Sequence, residues 1–185
     1  MNVYDFDKTV FYPDSSASFI LFSLRRHPSA FIRTAPAAAL YWLLYILRAV
    51  KTKKLKEKLF AFLRYIPDAE GDVELFWKEN FDRIGLWYLA QKRSDDVIIS
   101  ASPEFLLRPA AEKLGVRLIG TRMDINTGRI NGENCHDVEK PLRFAELFPG
   151  GRVEAFYSDS LSDAPMAKLA ERAYLVKKEK ISNWG

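Results

Sequence analysis

The chain has 185 residues, 48% of them hydrophobic, with a formal net charge of +4 and a pI near 9.1. That hydrophobic share excludes a disordered chain, and the length allows one sizeable core or a core with a small appended unit. The positive excess is too small to specify nucleic acid, and Cys135, the sole cysteine, excludes an intrachain disulfide and fits a reducing compartment.

Val3-Tyr4 reads as a short buried strand, and Asp5-Phe6-Asp7-Lys8-Thr9 follows it. Asp is depleted in strands and costly to bury unpaired. At the carboxyl end of a strand in an α/β sheet, a D-x-D pair suits a cation. It also suits phosphoryl chemistry in which one carboxylate attacks and the other moves protons. The alternative is a turn carrying two solvated Asp residues. These acids also stand where the apolar stretch of a secretion leader would begin, so a cytoplasmic protein is expected.

Residues 12–92 read as helical throughout. Pro13-Asp14-Ser15-Ser16 opens a helix through Phe19, Ile20, Phe22 and Leu24 that stops near His27-Pro28. A second spans 36–50. A third carries Leu55, Leu59, Phe62, Leu63 and Ile66, and a fourth Val73, Phe76, Trp77, Phe81, Ile84 and Trp87. Four helices without strands make a small bundle. Residues 37–47 are all apolar, Tyr41, Trp42 and Tyr45 included. A bilayer span needs about 20 such residues, so this run does not cross one. Arg48, Lys51, Lys53, Lys54, Lys56 and Lys58 follow, opposed by Glu57 alone. The stretch 37–58 is then the buried centre of the bundle beside a solvated basic helix, a peripheral membrane-surface element, or an oligomer interface.

Residues 93–185 alternate. Strands are expected at 97–99, 116–119, 153–157 and 173–176, helices at 103–114, 139–148 and 162–170, and a small hairpin around Asn126-Thr127-Gly128. Alternation of this kind means an α/β fold with a parallel sheet covered on both faces. Ser100 ends one strand, where its hydroxyl can donate to a phosphate oxygen. Lys140 lies in the first turn of a helix, where it opposes the dipole unless an anion binds there. Asp159 and Asp163 follow another apolar strand, and helix capping explains one of them but not both. Carboxylates converging on one sheet edge repel unless a cation sits among them, and oxygen ligands alone favour Mg²⁺. With His27 and His136 the only histidines, a zinc site is excluded. Cys135-His136 makes a poor dyad, because adjacent side chains diverge.

Together these residues resemble the haloacid dehalogenase superfamily of phosphohydrolases. Asp5, Asp7 and Thr9 match its D-x-D-x-T motif. Ser100 matches its hydroxyl after an apolar strand, Lys140 its lysine opening a later helix, and Asp159 with Asp163 its acidic pair, all in order. Ser100-Ala101-Ser102-Pro103-Glu104-Phe105, Leu114-Gly115, Ile119-Gly120-Thr121 and Asn126-Thr127-Gly128-Arg129 look like the phosphoserine-phosphatase-like branch. Ser158 stands where many relatives have Gly, and so does Lys8.

The resemblance implies a Rossmann-like core from residues 1–11 and 93–185, with an inserted all-helical cap at 12–92. It implies Mg²⁺-dependent hydrolysis of a small phosphomonoester through an aspartyl-phosphate. No nucleic-acid partner is expected, since only the basic 48–58 stretch suggests one and no binding motif accompanies it. Asp5 would be the nucleophile and Asp7 the general acid and base. Mg²⁺ would be held by Asp5, the backbone carbonyl of Asp7 and Asp159, with Asp163 orienting its water. Ser100 and Lys140 would meet the phosphoryl oxygens. Some relatives in this branch act on phosphatidylglycerophosphate, so a phospholipid head group is the alternative substrate. A catalytically silent membrane-binding protein on the same fold is the other alternative.

Overall fold

Short β-branched and aromatic runs become the strands β1 (Asn2–Tyr4), β2 (Val97–Pro103), β3 (Arg117–Thr121), β4 (Val153–Ser158), β5 (Ala170–Lys177) and β6 (Lys180–Asn183) of a computed structural model that describes residues 1–184. They form one sheet in the order β3-β2-β1-β4-β5-β6, parallel except for β6. The central strand β1 pairs with β2 on one side and β4 on the other. Strand order reverses there, which opens a crevice outside the carboxyl ends of the strands.

The pairing of β2 with β3 is regular through Ile99↔Ile119 and resumes only at Pro103↔Thr121. This bulge displaces residues 100–102 from the ladder, as bulges beside functional sites do. Strand β6 was not expected. It is reached through Lys178 and Glu179, whose φ values are 48° and 67°, at a turn without the Gly or Asn that normally signals one.

Five helices lie between β1 and β2: α1 (Ser15–Arg26), α2 (Pro28–Ile46), α3 (Thr52–Leu59), α4 (Ala69–Asn80) and α5 (Leu86–Gln91). Asp14 caps α1 by accepting from the Ala17 amide at 2.8 Å, and Asp68 caps α4 through Gly71 at 2.9 Å. Helix α2 starts at Pro28, eight residues earlier than the spacing predicts. Proline suits a first helical turn, and Pro36 inside α2 is exposed, where water can satisfy the carbonyl its ring leaves free. The third and fourth expected helices each break through 3-10 turns, at Ala61–Tyr65 and Phe81–Arg83.

After β2 come α6 (Glu104–Leu114), on the same face as the inserted helices, and α7 (Glu139–Leu147) and the single-turn α8 (Ala164–Ala167), on the other. Gly115 stops α6 with a left-handed φ of 68°. The hairpin expected near 123–131 reduces to one bridge between Met123 and Ile130.

Alternation along β2 divides the core. Ile98 joins Tyr4, Phe6, Phe19, Phe62, Phe76, Trp77, Leu106 and Leu107 on one face, while Val97 and Ile99 join Val3, Ile119, Phe144, Phe156 and Met166 on the other. The first cluster runs unbroken from the strands into the inserted helices, and Trp77 Nε1 donates to the Leu106 carbonyl at 2.5 Å across the seam.

The buried-centre reading of residues 37–47 fails. None of them is buried, and Leu40, Trp42, Leu43, Ile46 and Leu47 are all more than half exposed. The inward side of α2 is small, Ala30 and Thr34, with Phe31 stacked on Phe62 at 4.3 Å. Apolar composition shows that a helix has an oily side, but only packing shows whether that side is covered. No helix among the described residues is long and apolar enough to cross a membrane.

Candidate active site

The crevice at the strand ends is a cleft of about 300 Å³ lined by Asp5, Asp7, Ser100, Lys140, Asp159 and Asp163. Asp5 and Asp7 follow β1, Ser100 lies in the β2 bulge, and Asp159 follows β4. Lys140 reaches in from the first turn of α7 and is 2% exposed. Its Nζ donates to Asp5 Oδ1 at 2.6 Å and to Asp163 Oδ2 at 2.7 Å. That is the anion which makes a lysine sensible at a helix start.

Asp7 is held from both sides. Ser102 Oγ donates to its Oδ2 at 2.5 Å and the Ser15 amide to its Oδ1 at 2.6 Å. Ser100 Oγ lies 3.4 Å from Asp7 Oδ2, a loose contact, and accepts from the Ser102 amide at 3.1 Å. The inserted helices thus reach the strand-end acids directly, through the first turn of α1. Ser16 adds a hydroxyl contact to Ser102 at 2.7 Å.

Burial pushes the Asp5 carboxyl up to about 7, against the pull of Lys140, and Asp163 and Asp7 push it the same way. Asp7 and Asp159 are also raised, burial first, with Asp14 adding to the shift at Asp7. Lys140 is raised as well, above the usual lysine value, because Asp5 and Asp163 outweigh its own burial. Five Asp side chains line the cleft against three lysines, Lys8, Lys56 and Lys140, so its acids outnumber its cations.

No group of three acid, His or Cys side chains among the described residues is already gathered at metal-binding distance. Mg²⁺ does not demand one, since it is commonly held by one or two carboxylates plus waters and substrate phosphate. Carboxylates, with His136 at the rim and no Cys in the lining, are the donor set such an ion prefers.

Of the two departures from the resembled pattern, Ser158 makes contacts that glycine could not, whereas Lys8 stands where the backbone favours glycine. Lys8 adopts a φ of 60°, a conformation that costs glycine nothing and other residues something. Ser158 is buried, donates to Asp163 Oδ2 at 2.7 Å and accepts from the Ser160 amide at 3.1 Å. It steadies the acid that Lys140 grips.

Three further contributors had no role that the sequence assigned. Ser102 and the Ser15 amide fix Asp7. Lys56, on α3, lines the cleft while its Nζ donates to the Ala101 carbonyl and to Asn134 Oδ1, both at 2.8 Å. Burial takes Lys56 down to about 8, although Asp7 and Asp14 pull upward. Cys135 is buried in the core, whereas His136 is exposed at the rim of the cleft, 3.4 Å from Ser162 Oγ.

A family model described as haloacid dehalogenase-like hydrolase matches residues 3–168. The chain belongs to that family. It is 30% identical to Protein CicA of Caulobacter vibrioides, over 94% of this chain and 84% of that protein. A solved structure from Bordetella pertussis, of unknown function, superposes with a TM-score of 0.74 at 21% identity, over 94% of this chain and 87% of the other. A substrate-bound phosphoserine phosphatase gives 0.60 at 16% identity, over 92% and 82%. A phosphoserine phosphohydrolase-like protein from Francisella tularensis gives 0.61 at 15%, over 97% and 88%.

Proposed function

We propose that the chain is a Mg²⁺-dependent phosphatase that hydrolyses a small phosphomonoester through an aspartyl-phosphate, with residues 12–92 acting as a cap over the cleft. The carrying observation is Lys140 bonded to both Asp5 and Asp163 inside the cleft that also holds Asp7, Ser100 and Asp159. Family membership and the likeness to phosphoserine phosphatases support the same reading.

Lys140 occupies Asp5 Oδ1 and leaves Oδ2 to attack phosphorus in line. The raised pKa of Asp7 suits a group that protonates the departing alkoxide and then takes a proton from the hydrolytic water. Ser102 and the Ser15 amide hold that carboxylate in one orientation through both steps. Lys140 and Ser100 supply charge and a hydrogen bond to the phosphoryl oxygens as negative charge builds on them. Asp5, Asp159 and the backbone carbonyl of Asp7 would hold Mg²⁺, with Asp163 orienting its water. The ion, when bound, offsets the repulsion between anionic Asp5 and an anionic phosphate.

Release of phosphate from phosphoserine, sugar phosphates, nucleotides and phosphatidylglycerophosphate, with Mg²⁺ and with EDTA, tests this reading. Turnover of at least one of them only with Mg²⁺, abolished in Asp5→Asn, is expected. Full turnover in the chelator sinks the metal assignment, and an active Asp5→Asn enzyme sinks the nucleophile. One observation favours a phosphate on a lipid head group as the second reading: the apolar residues of α2 stand in solvent on the helix that packs against α3, a wall of the cleft.

A further inference from the structure

Ile32, Leu40, Leu43, Ile46 and Leu47 recur along α2 at helical spacing and are 76%, 53%, 53%, 61% and 65% exposed, with Trp42 beside them. Single exposed apolar side chains are ordinary, but a continuous stripe along a 19-residue helix is not. Loose packing does not explain it, because the opposite side of α2 is anchored. Phe31 stacks on Phe62, the Lys58 ammonium sits 4.8 Å over the Tyr41 ring, and the α1–α2 corner is tied down where Arg26 and His27 meet buried Asp72 at 3.0 and 2.6 Å.

Charge says what would cover the stripe. Glu57 is the sole acid between Pro28 and Pro67, against eight Lys and Arg residues. Lys53 turns to Gly132 and Glu133, and Lys56 turns into the cleft. Arg48, Lys51 and Lys54 remain exposed just beyond the end of α2. A second copy of the chain would bring the same excess of cations and from this segment a single acid, Glu57, which already pairs with Lys54 at 3.1 Å. A nucleic acid would use the cations and leave the apolar stripe in water. An anionic bilayer satisfies both, and amphipathic helices with flanking aromatic and basic residues lie in such interfaces.

We propose that the outer face of α2, with Arg48, Lys51 and Lys54, docks on an anionic lipid bilayer and lies in its surface without crossing it. Because α3 packs against α2 and its Lys56 lines the cleft, docking sets the cleft about one helix diameter, roughly 10 Å, from the bilayer. Resting on the hydrolysis proposed above, this arrangement favours a phosphomonoester carried at that surface.

Flotation of the full chain with phosphatidylglycerol vesicles, and with phosphatidylcholine vesicles as the control, tests the docking. The wild type should float with phosphatidylglycerol at low salt and much less with phosphatidylcholine. Lys51→Gln with Lys54→Gln should weaken binding about tenfold, and added salt should act in the same direction. Leu43→Glu with Ile46→Glu should abolish it, while hydrolysis of a small soluble phosphomonoester stays at the wild-type rate in every variant. The docking is overturned if the wild type ignores phosphatidylglycerol at low salt, or if the double Glu variant floats as well as the wild type. It is also overturned if sedimentation shows a wild-type dimer that the double Glu variant disperses, since the stripe then belongs to a second copy. Flotation reads binding without turnover, so failure of docking and failure of the proposed hydrolysis are told apart.

Discussion

In the strand-end cleft, Asp5, Lys140 and Asp163 are charged side chains only 7%, 2% and 3% exposed, whereas on the outer face of α2 Leu43, Ile46 and Leu47 are apolar side chains more than half exposed. Both regions go against the usual partition of polar and apolar groups. They differ in where the compensation lies. The buried charges are answered within the fold, acid to lysine to acid, with serine hydroxyls on Asp7 and Asp163. Among the described residues no element covers the apolar stripe. An internally satisfied polar cluster is ready for chemistry, while an uncovered stripe calls for something outside the chain.

The largest expected effect breaks the cleft. Asp5→Asn keeps the shape and removes the proposed nucleophile, so turnover should fall by more than about three orders of magnitude with the melting temperature little changed. Steady-state rates beside a thermal melt check both halves. EDTA should likewise stop hydrolysis and Mg²⁺ restore it, with Ca²⁺ a poor substitute because its coordination is larger and more variable.

Lys140→Met strands two buried acids, which should cost on the order of 3–5 kcal/mol in urea denaturation. Adding Asp5→Asn removes one of those acids and should recover part of the loss. Simple additivity of the two changes would mean that the pair does not interact in the folded protein.

Lys56→Met should raise KM for an anionic substrate more than it lowers kcat. In the wild type the ammonium is lost as pH climbs through about 8, so KM should rise there, and the variant should show a high, flat KM. For stability the same group has the opposite sign. Between about 8 and its ordinary 10.5 the unfolded chain binds more protons, so its contribution to stability increases with pH across that window.

The smallest effect belongs to the stripe. Leu43→Glu should change unfolding free energy by less than about 0.5 kcal/mol, since the side chain already stands in water. A loss of several kcal/mol on chemical denaturation would show that the stripe is covered in the free protein and would dissolve the contrast.

Much of the cleft was legible because its residue types are improbable otherwise. Asp5 and Asp7 after a strand, Lys140 against a helix dipole and two acids after a third strand each contradict local preference, and together they share one cleft. Ser102 and Lys56 were not legible. A serine two residues after another serine has no signature, and Lys56 is one of five lysines in an eight-residue window, only one of which turns into the cleft. Side-chain direction around a short helix follows from what the helix packs on, and periodicity does not encode that.

Residue types and their order were enough to establish an α/β chain of the hydrolase family and the acids, serine and lysine gathered at its strand ends, because strand and helix periods, turn residues and misplaced charges are local properties. Only the tertiary structure decided that Lys140 bridges Asp5 and Asp163, that the start of α1 holds Asp7, and that residues 37–47 face water. Each of those facts depends on which surfaces meet across many residues of intervening chain, and burial is a property of the assembled whole.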